Sequence, residues 1–256
     1  MMSTVRVAAL YDIHGNLPAL RAVLTEVEKD GVETLVIGGD VVPGPQPRET
    51  IEQVIALGQR ARFVRGNADR EVVDAYDQGR VRPQDESSPA DKAAAFAAAR
   101  ITKIQRDFLA DFRPTVVLEI DGLGPVVFCH GSPRSDSEII TTATSDERLR
   151  EILQEVPEEL VVGGHTHRQF DRRTDGRRFV NAGSVGCPYE GRPGAYWALL
   201  GPEVALRRSE YDVVDAAEQL RATGYPDIEE MLRESLTDPV DADEVAAFFE
   251  GLAADG

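Results

Sequence analysis

Histidine, cysteine and lysine are scarce in this chain of 256 residues. Only His14, His130, His165 and His167 carry an imidazole, and only Cys129 and Cys187 carry a thiol. Two cysteines give no disulfide framework and no thiolate zinc site. Long apolar runs are missing too: none approaches the ~20 residues of a membrane-spanning helix. The opening MMSTVRVAALYDIHGN turns polar too soon for a secretion signal. A soluble, cytoplasmic protein with no membrane partner is therefore expected.

Basic residues as a class are outnumbered. There are 28 Lys+Arg against 45 Asp+Glu, a formal net charge of −17. Lysine is limited to Lys29, Lys92 and Lys103. Phosphate affinity for a long duplex comes mainly from Lys and Arg, so a long nucleic acid is excluded as partner. A small anionic substrate is not, because a bound cation inverts the local sign. The acid is concentrated at one end. Ser209 to Gly256 holds 14 acids and two bases, Arg221 and Arg233, so −12 of the −17 lies there. The simplest reading of that segment is a solvated helical face.

The composition does supply a core. Hydrophobic residues make up 42% of the chain, enough for one large domain with an appendage. We expect a domain over residues 1–208 and an acidic helical extension over 209–256, packed on it. Val5–Tyr11 is apolar and β-branched and reads as a buried strand. Asn16 can cap a helix with Pro18 in its first turn, carrying Leu17, Leu20, Val23, Leu24 and Val27 at helical spacing. Strands at Thr34–Ile37 and Ala61–Val64 bracket a helix over Glu49–Leu57. This alternation indicates an α/β sheet with parallel strands. Arg80–Ala90 reads as a loop and alanine-rich Asp91–Phe112 as helix. Thr115–Ile120 with Val126–His130, Gln169–Thr174 with Arg178–Asn181, and Tyr196–Leu200 with Val204–Ser209 read as three strand pairs. A helix over Glu147–Val156 and a strand at Leu160–Val162 lie between the first two pairs. The last ~45 residues read as two or three short helices with breaks at Gly224-Tyr225-Pro226 and Asp238-Pro239.

Ligands in open α/β sheets bind beyond the carboxyl ends of the strands. In five places an apolar strand runs into residues that bind metals: Asp12-Ile13-His14, Gly39-Asp40, Gly66-Asn67, His130-Gly131 and Gly164-His165-Thr166-His167. Together these hold every histidine in the chain. Adjacent glycines let the backbone turn and come close to a bound group. Imidazole and carboxylate ligands without thiolate suit Mn, Fe, Ni, Co or Zn. Seven candidates exceed the four to six that one ion needs, whereas two ions sharing a carboxylate need about this many. Asp40 is the central candidate for the shared carboxylate.

The five motifs, in this order over Val5–Leu206, resemble the calcineurin-like metallophosphoesterase superfamily. Asp12-Ile13-His14-Gly15-Asn16-Leu17 resembles its small bacterial phosphoesterase branch. The resemblance implies a four-layer α/β/β/α sandwich of two mixed sheets, here with a short helical C-terminal extension, and two divalent metal ions. Manganese is the first choice, with iron, nickel, cobalt or zinc as alternatives. One ion would take Asp12, His14 and His167; the other would take Asn67, His130 and His165. Asp40 would bridge them. A metal-bridging hydroxide would attack phosphorus in line.

The sequence departs from the family after Gly66-Asn67, where many members have a histidine that acts as general acid. Here that position is Ala68, and no histidine is left to replace it. Asp69 is the candidate in the loop; otherwise the leaving group departs unassisted. For substrate phosphate, Asn16 and Arg134 are the expected donors, with Arg65, Arg70 and Arg168 nearby in sequence. Asn181-Ala182-Gly183-Ser184 resembles a stretch of small bacterial members and is expected near the site. The expected activity is hydrolysis of a small phosphodiester. Alternatives are a phosphomonoesterase, a phosphoprotein phosphatase, or a non-catalytic metal-binding scaffold on the same fold. Oligomeric state is left open.

Overall fold

A computed structural model describes residues 5–82 and 88–255. The first four residues of the chain and residues 83–87, the middle of the Arg80–Ala90 loop, lie outside it, as does residue 256. Among the described residues no helix is long and apolar enough to cross a membrane.

The first strand, β1 (Val7–Leu10), shows how the layers arise. Its side chains alternate between two cores. Ala8 and Leu10 point to a core shared with α1 (Leu17–Lys29) and its neighbours, whereas Val7 and Ala9 point the other way, into a core between two sheets. Parallel neighbours follow: β2 (Thr34–Ile37) beside β1, and β3 (Ala61–Phe63) beside β2. The crossovers are α1 and α2 (Pro47–Ile55), with a 3-10 turn at Gly58–Arg60. After β3 come α3 (Asn67–Asp77), α4 (Pro89–Ala98) and α5 (Lys103–Ala110).

A second sheet begins with the hairpin β4 (Thr115–Ile120) and β5 (Gly124–Cys129). Helix α6 (Asp146–Leu153) leads to β6 (Leu160–Gly163), parallel to β5. The hairpin β7 (Gln169–Thr174) and β8 (Arg177–Ala182) follows, with β8 parallel to β6. The chain then returns to the first sheet as β9 (Ala195–Leu200) and β10 (Val204–Ser209). The sheet orders are β10-β9-β1-β2-β3 and β4-β5-β6-β8-β7, both mixed. Val127, Val161 and Phe179 on the outer face of the second sheet pack on Leu149, Ile152 and Leu153 of α6. The result is the four-layer α/β/β/α sandwich.

Two differences from the sequence expectation have clear causes. The alanine-rich stretch is two helices, because Thr102 caps a new one: its hydroxyl accepts from Gln105 N while the Gln105 side chain accepts from Thr102 N. Helix α3 was not anticipated. Its start is signalled by Gly66-x-x-Asp69, in which the Asp69 carboxylate reaches back to Gly66 N.

The acidic extension forms α7 (Val213–Arg221), α8 (Ile228–Leu232) running into a π-helical turn at Arg233–Thr237, and α9 (Ala242–Asp255). It buries a small cluster of its own, Ala217, Leu220, Leu232 and Leu236. It is also tied to the sandwich. Tyr225 meets Phe96 of α4 edge-on at 5.1 Å, and Lys92 pairs with Asp227 at 3.0 Å. Glu250 accepts from the hydroxyls of Thr141 and Thr144, and the Arg168 guanidinium reaches Ala242 O at 2.9 Å.

One buried hydrogen bond joins the sheets beside the strand ends. Tyr11, at the end of β1, donates its hydroxyl to Val162 O on β6 at 3.0 Å, with no solvent exposure. Tyr11→Phe should lower stability by ~1–2 kcal/mol, since a buried acceptor loses its partner. Urea unfolding of the variant checks this, and a change below about 0.5 kcal/mol, the scatter of ordinary surface substitutions, would show the bond to be idle.

Candidate functional site

The seven expected ligands come from five strand ends. Asp12 and His14 follow β1, Asp40 follows β2, Asn67 follows β3, His130 follows β5, and His165 and His167 follow β6. The structure brings six of them into two groups, Asp12 with His14 and His167, and Asp40 with His130 and His165. Within each group the potential ligand atoms lie within 4.8 Å of one another.

The groups abut. Asp12 Oδ1 lies 3.4 Å from His167 Nε2, 3.7 Å from His130 Nε2 and 3.9 Å from His14 Nε2. Asp40 Oδ2 lies 3.4 Å from His130 Nε2 and 3.7 Å from His14 Nε2. Both carboxylates thus face imidazoles of both groups. Their outer oxygens are already used: Asp12 Oδ2 accepts from His165 N and Asp40 Oδ1 from Ala68 N, each at 2.9 Å.

The imidazoles are oriented from behind. The Nδ1 atoms of His14, His130 and His167 lie 3.0, 2.8 and 2.7 Å from the carbonyls of Pro43, Gly38 and Cys187. A ring that donates Nδ1–H to a carbonyl presents its Nε2 lone pair forward, as metal-binding histidines do. Three buried atoms in the centre have no hydrogen-bond partner: Asp12 Oδ1, Asn67 Oδ1 and His130 Nε2. Buried polar atoms left bare cost ~1–3 kcal/mol each. A cation would satisfy all three. The donor set therefore fits divalent metal ions, and Asn67 lines the same cavity as His14, Asp40, His165 and His167.

Holding these groups strains the backbone. Asp12, His14, Asp40, His165 and His167 all have positive φ, from 46° to 68°. Among the described non-glycine residues only Asp175 and Asp227 share that conformation. Each costs on the order of 1–2 kcal/mol. The surrounding loops fix them: Ser184 Oγ donates to Asp12 O at 2.7 Å, and Asn181 Nδ2 donates to Gly164 O at 2.7 Å. The Asn181–Ser184 stretch is thus a brace under the site.

Charge follows from this packing. Burial pushes the Asp12 and Asp40 carboxyls up, but the imidazoles facing them outweigh it and hold both acids below the usual carboxylate range. For His130 and His167, burial is likewise outweighed by these carboxylates; His130 rises to about 10 and His167 well above its usual value. Burial, with a neighbouring imidazole next, lowers His14 and brings His165 to about 4. In the metal-free centre the carboxylates therefore favour protons on His130 and His167. A cation must displace them, so its affinity rises with pH, by up to about tenfold per unit for each proton released. Calorimetric metal titrations in two buffers of different ionisation enthalpy should show proton release at pH 7; identical heats in both buffers would contradict it.

The remaining expected residues lie elsewhere. Asn16 is fully buried: it caps α1 through Ala19 N and donates to Gly186 O, so it offers nothing to a phosphate. Arg134 is held by Glu138 in a bidentate pair and by Glu151, and it lines a separate cavity with Arg65 and Arg70. Arg65 and Arg70 both face Asp136, and Arg168 pairs with Asp243. Asp69 is also fully buried. Burial and the Asp40 charge raise its carboxyl to about 7, but it accepts from Val41 N at 2.9 Å and points into the loops. It braces the backbone and does not reach the cavity.

That cavity, about 450 Å³, opens above His14, Asp40, Asn67, His165 and His167. One wall is α4; the other is the acidic extension, through Tyr225, Met231 and Glu234 among others. Tyr189 stacks on His167 with ring centroids 5.0 Å apart and also lines it. Glu71, one turn beyond Asn67 on α3, completes the rim. None of these was singled out by sequence. Glu71 could have been, from its i+4 spacing to Asn67 on a recognised helix.

Comparison with known proteins gives concordant results. Residues 5–201 match the family model for the calcineurin-like phosphoesterase superfamily domain. An uncharacterised protein of Methanocaldococcus jannaschii is 24% identical over 243 residues, covering 86% of this chain and 94% of that one. The crystal structure of a metallophosphoesterase from Sphaerobacter thermophilus superposes with a TM-score of 0.71 at 27% identity, covering 90% of this chain and 98% of that one. A hypothetical protein from Pyrococcus horikoshii has the same fold, with a TM-score of 0.74 at 23% identity over 90% of this chain and 96% of that one.

Proposed function

The chain belongs to the calcineurin-like phosphoesterase superfamily, and we propose that it hydrolyses a small phosphodiester with the help of two divalent metal ions. The observation that carries this reading is the trio of buried, unpartnered atoms, Asp12 Oδ1, Asn67 Oδ1 and His130 Nε2, packed among His14, Asp40, His165 and His167, which line an open cavity with Asn67. Asp12, His14 and His167 would hold one ion and Asn67, His130 and His165 the other, with Asp40 between them. Bound there, the ions would supply Lewis acidity and an activated water for attack on phosphorus.

The chain's own residues do the rest. Pro43, Gly38 and Cys187 keep three imidazoles in one tautomer through their carbonyls. Ala68 N fixes the Asp40 carboxylate. No Arg or Lys lines the cavity among the described residues. A dianionic monoester would find no guanidinium or ammonium there, whereas a monoanionic diester asks for less compensation; this favours the diester. Ala68 presents only a methyl group where a general acid would stand.

General acid assistance is worth about 10²–10⁴ in rate. Without it, rate should depend steeply on the leaving group. Bis(p-nitrophenyl) phosphate with Mn²⁺ should be turned over readily, and dialkyl phosphates slower by a factor of ~10² or more. A flat dependence on leaving-group pKa would reveal an acid elsewhere. Faster turnover of p-nitrophenyl phosphate than of the diester would favour the phosphatase reading instead.

A further inference from the structure

The cavity over the metal residues, walled by the acidic extension together with α3, α4 and the loop after β8, has a chemistry of its own. It combines two tyrosines and a methionine, Tyr189, Tyr225 and Met231, with the carboxylates Glu71, Glu230 and Glu234. A fourth acid, Asp227, is answered by Lys92 at 3.0 Å. Arg233 lies 3.1 Å from Glu234 and 4.0 Å from Glu230, one guanidinium for two acids, and is itself well exposed. Glu71 has no ion-pair partner among the described residues, and it is half-buried beside Asn67. The space next to the metal centre is therefore aromatic, soft and negatively charged.

Such a lining suits one class of ligand. Aromatic faces attract ammonium groups, more strongly when water is excluded, and methionine and tyrosine accept a bulky apolar body. Surplus carboxylates add attraction for a cation and repel further phosphates. Behind the lining residues His14, Asp40, His165 and His167 lies a distinct, cation-demanding centre, marked by the fully buried and unpartnered Asp12 Oδ1 and His130 Nε2. A substrate would thus meet positive charge at its phosphorus and negative charge at its far end.

We propose that this cavity selects phosphodiesters bearing an alkylammonium substituent, and that the C-terminal extension is the element that reads it. The inference rests on the phosphodiesterase reading for its chemistry, but the binding preference it predicts does not require turnover. Polyphosphorylated esters such as dinucleotide polyphosphates should be poor ligands for the same reason.

The test uses the full-length, Mn²⁺-loaded protein and two probes of equal shape, choline and its uncharged carbon analogue 3,3-dimethylbutanol. Binding is read by calorimetry or by ligand-observed NMR. Choline should bind about tenfold more tightly, the factor that ~1.4 kcal/mol gives. The double substitution Glu230→Gln, Glu234→Gln should bring the ratio close to one. Equal affinities in the unsubstituted protein, or a ratio that the double substitution does not move, would overturn the proposal. A second arm compares hydrolysis of the p-nitrophenyl phosphodiesters of the same two alcohols. A choline preference in binding with no hydrolysis of either ester would sink the phosphodiesterase reading and leave the selectivity standing. Hydrolysis of both at equal rates, with equal binding, would do the reverse.

Discussion

Asp40→Asn should abolish metal-dependent hydrolysis, by a factor of about 10³ or more, while the fold survives. The reason lies in how the two carboxylate oxygens are used. Oδ1 accepts from Ala68 N at 2.9 Å, a role that an amide oxygen can keep. Oδ2 faces His130 Nε2 at 3.4 Å and His14 Nε2 at 3.7 Å, one from each group of ligands. An amide nitrogen in its place has no lone pair or charge to offer. The change also removes a negative charge that faces both groups of ligands, so the site loses its draw for cations of either group. Metal content by mass spectrometry, circular dichroism and turnover of bis(p-nitrophenyl) phosphate check the three parts. Normal metal content with more than about a tenth of the activity would refute the central role of Asp40.

Gly66→Ala should cost about a hundredfold in kcat/KM for a different reason. Gly66 has ordinary extended backbone, with φ −86° and ψ 161°, so alanine meets no conformational penalty. The space is the obstacle. A Cβ there would stand 2.1 Å from Asp40 Oδ1 and 2.4 Å from Asp40 N. The carboxylate and its loop must move by about an ångström, and a shift of that size at a reacting centre costs ~10²-fold. Overpacking should also lower stability by ~1–3 kcal/mol. Gly251→Ala, on α9 with open space around its Cβ, is the control: it should leave kcat/KM within error and, as a helical glycine replaced by alanine, raise stability by ~0.5–1 kcal/mol where Gly66→Ala lowers it. Wild-type activity in Gly66→Ala would mean that the Asp40 loop is free to shift without consequence.

The two kinds of residue in these predictions differ in how visible they are in sequence. Metal-type residues at strand ends could be found because a buried parallel strand is a continuous apolar run, and its end is marked by Gly and Asp. Thr34–Ile37 followed by Gly39-Asp40 is such a case, and so is Leu160–Gly163 followed by His165 and His167. An α/β sheet with parallel strands follows from the same alternation, whereas the four-layer stacking comes only with the family resemblance. Substrate contacts were not visible in this way. Arg134 follows His130 closely in the chain, but its neighbour Glu138 claims the guanidinium, and one residue pairing with another four along cannot be weighed without the turn between them. Asn16 and Asp69 satisfy backbone amides, the usual use of short polar side chains at helix starts. Recognising α3 would have shown that for Asp69. The extension was the least legible part. Its charge pattern reads as solvated surface, and much of it is, yet Tyr225 and Met231 line the cavity, Tyr225 held by an edge-on contact with Phe96 of α4 that no local pattern encodes.

That wall changes the meaning of the acidic charge. The segment carrying −12 of the −17 forms part of the lining of the functional cavity. It makes the surroundings hostile to polyanions at the place where the centre itself needs cations.

The most direct test of the account is a count of metal ions. The protein is stripped with a chelator, reloaded with Mn²⁺, freed of loosely bound metal by gel filtration, and analysed by mass spectrometry against protein concentration. Two ions per chain are predicted, one for each group of ligands, with activity rising to its maximum as the second ion binds. A chain that saturates in metal and in activity at one ion, or retains full activity with none, would contradict it.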